Sequence, residues 1–200
     1  NTSGTSNFVA GVNAGNSITS GGNSNVLVGD EAGTAITTGD YNAAFGQNAL
    51  ASNVTGSRNT AIGRSALATL NPDTEASYNT AVGYAAGAAV TTGTVNTLIG
   101  GLAGDALTVG NSNIAVGFES LGAEVAGDRN VAIGNYALTA QSNSSTVDTY
   151  NVAVGYDAGK AITTGTSNTL IGGLAGDAQT TASNNTAVGY ASLGTNTTGA

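Results

Sequence analysis

The chain has no cysteine, histidine, methionine or tryptophan, and it has one proline in 200 residues. Without cysteine there is neither a disulfide framework nor a thiolate metal site. Without histidine as well, neither a Ser-His-Asp triad nor a Cys-His pair can be assembled. Charge is scarce too: four basic residues against twelve acidic ones leave a net charge of −8. No basic stripe exists, so the electrostatic attraction that drives nucleic-acid binding is missing. No apolar run reaches the length of a membrane span and no signal peptide is visible, so no membrane insertion is expected of this segment. The low charge also argues against a solvated, disordered tail. Glycine is abundant, but without a three-residue period, which excludes collagen.

What is present is repetition. The pattern Asn, apolar or Thr residues, then Gly returns eleven times, as in Asn59-Thr60-Ala61-Ile62-Gly63 and Asn151-Val152-Ala153-Val154-Gly155. The opening residues are Asn7, Asn25, Asn42, Asn59, Asn79, Asn96, Asn113, Asn130, Asn151, Asn168 and Asn185, most of them 17 apart. A short fixed period means stacked structural units rather than a globular core. The expected fold is all-β: a parallel β-solenoid of eleven coils of about 17 residues, one domain over residues 1–200. Neither end reads as a cap, so a segment of a longer fibre is expected.

Aligned on Asn, the copies become columns. The third residue after Asn is apolar throughout and mostly β-branched (Val28, Ile62, Ile99, Ile133, Val188), as suits a strand. The first is mixed (Phe8, Val26, Thr60, Ile114, Thr186), and alternation puts these two columns on one face. That face is assigned to the coil interior. The second column (Val9, Leu27, Ala61, Leu98, Ala132, Ala187) is also apolar and is assigned to an opposite face buried against another chain. The Gly that follows would suit a positive φ or a close backbone approach near a symmetry axis. The Asn column predicts an amide ladder, with Asn also tolerating the left-handed region at a corner.

Eight residues after Asn stands either Gly (Gly15, Gly33, Gly87, Gly104, Gly159, Gly176) or Leu (Leu50, Leu67, Leu121, Leu138, Leu193). Gly coils mostly carry a large apolar residue three further on (Ile18, Ile36, Val90, Leu107, Ile162), and Leu coils mostly a polar one (Asn53, Glu124, Gln141, Asn196). Leu70 and Gln179 break this rule. One large plug per coil, supplied from either of two places, accounts for it. The alternation exposes a four-coil superperiod, and Asn96 to Ala106 recurs unchanged at Asn168 to Ala178.

Asn-Thr-Ala-Val-Gly-Tyr followed by Ala resembles the head repeats of YadA-type trimeric autotransporter adhesins. Residues 185–200 are more similar still to the Asn-Thr-Ala-x-Gly-x-x-Ala-Leu arrays, with Asn-Thr-Thr-Gly spacers, of phage and bacterial tail-fibre-like proteins. The resemblance implies a left-handed β-roll, a parallel homotrimer, and an extracellular setting in a virion tail fibre or on a cell surface. The adhesin heads have shorter repeats than 17 residues.

No residue is nominated as catalytic, cofactor-binding or metal-ligating, and an enzyme is not expected. Gly155-Tyr156-Asp157-Ala158-Gly159-Lys160-Ala161 lacks the spacing and closing Ser or Thr of a phosphate loop. Asp30-Glu31 reads as solvated surface, and Asp105 and Asp177 lack the Gly-x-Asp alternation of calcium-binding rolls. Tyr84, Phe118, Tyr156 and Tyr190 follow the motif Gly, while Tyr41, Tyr78 and Tyr150 precede the motif Asn. Such rings cover coil edges or stack on sugars. Insertions Leu70 to Tyr78 and Gln141 to Tyr150 fall at equivalent points and should project from one side. The leading expectation is a non-enzymatic structural segment of a fibre. The alternatives are an adhesin head that binds host glycan or matrix, with a host-surface glycan or protein receptor as its partner, and a monomeric ice-binding solenoid presenting Thr37-Thr38, Thr91-Thr92 and Thr163-Thr164.

Overall fold

A computed structural model describes residues 4–72, 76–195 and 197. The chain forms β1 (Phe8–Ala10), β2 (Val26–Val28), β3 (Ala43–Phe45), β4 (Thr60–Ile62), β5 (Thr80–Val82), β6 (Thr97–Ile99) and β7 (Ile114–Val116). There follow β8 (Gly127–Asp128), β9 (Val131–Ile133), β10 (Val147–Asp148), β11 (Val152–Val154), β12 (Thr169–Ile171) and β13 (Thr186–Val188). Eleven of these make one parallel sheet in sequence order, and β8 pairs with β10 in a small second sheet. Every motif copy meets the next in register, for example Thr97 with Ile114 and Ile99 with Val116. This is the parallel β-solenoid that the period predicts, of about ten turns, with no helix among the described residues.

The two strand faces are the reverse of the sequence expectation. The second column is the interior: Leu27, Ala44, Ala61, Ala81, Leu98, Ala115, Ala132, Ala153 and Leu170 are wholly buried within their own chain. The β-branched third column points outward, with Phe45, Ile62, Ile99, Ile133 and Ile171 each 38–41% exposed. The reason is volume. Behind the sheet lies the second limb, whose alanines (Ala32, Ala49, Ala66, Ala103) and plugs are fully buried, leaving little room for branched residues on the inner strand face.

The plug rule holds at the Gly/Leu position and gains a third term. Leu50, Leu67, Leu121 and Leu138 are fully buried, as are Ile36, Leu70, Val90, Leu107 and Ile162. Where the strand supplies Leu, the facing residue is Gly. A Cβ on Gly104 would lie 2.9 Å from the Leu98 side chain, and one on Gly87 only 2.6 Å from it. Leu170 covers Gly159 and Gly176 in the same way, at 2.9 and 2.8 Å. Each superperiod thus runs Leu over Gly, Ala over Leu, Ala over Leu, then Ala over Gly, with that last gap filled by leucines from both neighbours. Gly87 lies between Leu67 and Leu98, and Gly159 between Leu138 and Leu170.

The Asn ladder forms. Apart from one step, Oδ1 of a motif Asn accepts the backbone N–H of the next, as from Asn113 to Asn96 at 2.9 Å and from Asn130 to Asn113 at 3.0 Å. Nδ2 reaches across its own coil to the carbonyl of the Gly fourteen residues on, 2.9 Å for both Asn96 to Gly110 and Asn113 to Gly127. The ladder changes partner at the second insertion, where Asn130 Oδ1 accepts the Thr149 hydroxyl at 2.7 Å. The motif Asn itself is not left-handed. The residue before it is, including Tyr41 (φ 57°), Arg58 (63°) and Val95 (60°).

The motif Gly has a positive φ and a close approach together, but the approach is to its own chain. A Cβ on Gly100 (φ 137°) would sit 2.3 Å from the carbonyl oxygen of Gly117 in the next coil. Coil-to-coil contact, rather than a symmetry axis, keeps this column glycine.

Candidate interaction surfaces

The outward sheet face carries the first and third strand columns from β1 to β13, and none of their residues is charged. Successive rows are about 4.8 Å apart and the two columns about 7 Å apart. The result is an unbroken uncharged stripe of Val, Ile, Phe, Thr and Ala about 48 Å long. At its ends Phe8 and Val188 are 61% and 68% exposed.

The two corners flanking this face hold the tyrosines and Phe118. All four basic residues of the chain lie over tyrosines: Arg58 over Tyr41 and Tyr78, Arg64 over Tyr84, Arg129 over Tyr150, and Lys160 over Tyr136. Basic charge is therefore spent in cation–π pairs rather than gathered into a patch. At the corner after the motif Gly, Tyr84, Phe118, Tyr156 and Tyr190 are exposed. Tyr136 stands between Phe118 and Tyr156, with centroids 5.6 and 6.2 Å away and interplanar angles of 82° and 89°. Protein-family models, curated proteins and solved structures contain no match to this chain.

The insertions are seated alike. Ala76 bridges Ser57, and β10 pairs with β8 four coils further on. Ser77 N–H donates to Ser57 O, and Thr149 N–H to Asp128 O, at 3.2 and 3.1 Å. The shared-side expectation is met, although residues 73–75 of the first insertion lie outside the described residues. Arg129 forms an ion pair with Asp148 of the second insertion, and Tyr150 Oη donates to the same carboxylate.

Beneath the second insertion lies a polar site that sequence reading treated only as a missing plug. Glu124 is fully buried. Its Oε1 accepts the amides of Val125, Ala126, Gly127 and Asn143, and its Oε2 accepts Gln141 Nε2 and Asn143 Nδ2, all between 2.7 and 3.1 Å. Gln141 Oε1 then receives Asn151 Nδ2 at 2.8 Å. The carboxylate therefore ties the insertion to its coil as a saturated acceptor, with no lone pair presented outward. The available signal was that Glu124 is the one acidic residue in a column otherwise made of Ile, Val, Leu, Asn and Gln.

The remaining acidic candidates do not converge. Asp30 and Glu31 are exposed, and Asp30 Oδ1 accepts only the Val12 amide at 3.2 Å. Among the described residues no three potential metal ligands cluster. In the phosphate-loop-like stretch, Lys160 pairs with Asp157 at 3.0 Å, and Gly155 and Gly159 hold the ordinary corner backbone. Burial raises the Asp105 carboxyl above its ordinary 3.8; the charge of Glu119 adds to this, and the amides of Asp105 and Ala106 oppose it. The first hydroxyl of each Thr pair is occupied: Thr37 donates to Val54 O, Thr91 to Thr108 O and Thr163 to Thr180 O, each at 3.2 Å.

Proposed function

We propose that this chain is a non-enzymatic structural segment of an extracellular fibre, of the virion tail-fibre or cell-surface type, built as a left-handed β-roll that associates into a parallel homotrimer. The observation that carries the proposal is the outward strand face. Its footprint, on the order of 500 Å², lies at the upper end of what soluble monomers leave exposed. Its residues repeat at the coil spacing, so a parallel copy in register meets the same chemistry along the whole length. The absence of charge along both columns removes the usual means of keeping such a face solitary. The repeat resemblance supports the left hand, the trimer and the setting.

Sedimentation equilibrium with electron microscopy of the segment tests this reading. A three-chain mass in a rod of one solenoid length is expected. A monomer at micromolar concentration with the sheet face open to solvent would overturn it. The ice-binding alternative loses support because the leading threonine hydroxyls are already spent between coils.

A further inference from the structure

The corner after the motif Gly has an order that coil packing does not require. Tyr84, Phe118, Tyr156 and Tyr190 occupy it on alternate coils, and Gly101, Asn135 and Gly173 stand on the coils between. The backbone confirms one continuous column. The carbonyls of Tyr84, Gly101, Phe118, Asn135, Tyr156 and Gly173 each accept the amide of the following coil. The backbone positions that carry the rings are about 9.6 Å apart, two coils, and the row spans about 29 Å.

The intervening glycines are the second element. A Cβ on Gly101 would meet the Phe118 ring at 3.5 Å, and one on Gly173 would meet the Tyr190 ring at 3.7 Å. Each of these rings reaches back over a residue with no side chain, which keeps the space beside it open. In the middle of the row Tyr136 packs between Phe118 and Tyr156 with its ring nearly perpendicular to both, a contact that restrains their orientation. The rings remain 41–79% exposed, so they do not merely seal the coil edge.

We infer that this row binds a neutral, extended β-1,4-linked glycan of the cellulose or chitin type. In such a chain alternate pyranose rings are flipped, so the same apolar face recurs every second sugar, at close to the separation of these aromatic rings. Stacking on every second coil therefore matches stacking on every second sugar. Charge selects the neutral class. Glu119 and Asp105 lie nearby in sequence with no basic ion-pair partner among the described residues, while Lys160 is compensated by Asp157 and Arg64 lies over Tyr84. A polyanionic glycan would meet repulsion here. The row lies off the strand face on which the fibre proposal rests, so the two stand or fall separately.

The test is calorimetric titration of the whole segment with cellohexaose, chitohexaose and, as a control, maltohexaose, whose α-1,4 links curl the chain. At least one β-1,4 hexasaccharide is expected to bind, and maltohexaose is not. Phe118→Ala and Tyr156→Ala should each weaken binding about tenfold, and Tyr41→Ala at the opposite corner should not change it. Gly173→Val should also weaken binding by propping the Tyr190 ring, although it removes no aromatic residue. Circular dichroism and sedimentation accompany every variant. Absence of binding to both β-1,4 hexasaccharides overturns the inference, and so does binding unchanged in the Phe118→Ala/Tyr156→Ala double variant. Dissociation of the assembly by those substitutions would make the row a contact between copies and overturn it equally. A monomeric chain that still binds would reject the trimer and leave the glycan row standing.

Discussion

Left-handed backbone at non-glycine residues is the recurrent residue-scale cost of this coil. Val95 is the clearest case, a half-exposed β-branched residue at φ 60° whose equivalents include Ser112, Ser167 and Asn184. Replacing it by Asn, which tolerates that region, should stabilise the protein by about 0.5–1 kcal/mol in urea unfolding. Asp105 gives a pH signature. Its carboxyl is raised on folding, so its contribution favours the fold below 3.8 and is lost as pH rises through the folded value. Ionised Asp105 is thus a net cost at neutral pH. Asp105→Asn should raise the melting temperature at pH 7, and the advantage should shrink as the pH is lowered towards 3.8.

The element scale is where packing logic becomes testable. Leu98→Ala should cost about 2–4 kcal/mol through the cavity over Gly87 and Gly104. Gly104→Leu alone should also destabilise, since the new side chain meets Leu98 within 2.9 Å. The double substitution recreates the Ala61, Leu67, Leu70 arrangement of an existing coil, so the two losses should be strongly non-additive in chemical denaturation.

This same pairing explains what the sequence disclosed and what it hid. Period, register, the Asn ladder and the equivalence of the insertions were all legible, because each depends only on which residues recur. The inside of the strand was not. Both its faces are apolar, and bulk wrongly favoured Ile62 and Val82 over Ala61 and Ala81 for the interior. The deciding signal was a size correlation across the coil: Leu27, Leu98 and Leu170 stand six residues before Gly33, Gly104 and Gly176. Only facing residues need to exchange volume in that way. The Glu124 site was hidden because its six donors come from coil, turn and insertion together.

For the whole molecule, the outward stripe makes the proposed association a surface property separable from folding. Ile99→Lys with Ile133→Lys places two charges on the stripe without touching the interior alanines and leucines. These substitutions should reduce the sedimenting mass to one chain while leaving far-ultraviolet circular dichroism unchanged. Added salt should not restore the assembly, because the lost contacts are apolar rather than ionic.

The Asn ladder also has a mechanical consequence. Its bonds run parallel to the solenoid axis, one rung per coil except where Thr149 replaces Asn151 as the donor to Asn130, and each rung joins only adjacent coils. Tension applied to the two ends of one chain would therefore load the terminal rung alone and peel the solenoid coil by coil, at nearly constant force. Lateral neighbours along the stripe would brace every coil at once. A solitary chain would behave as a spool, and a bundled one as a rod.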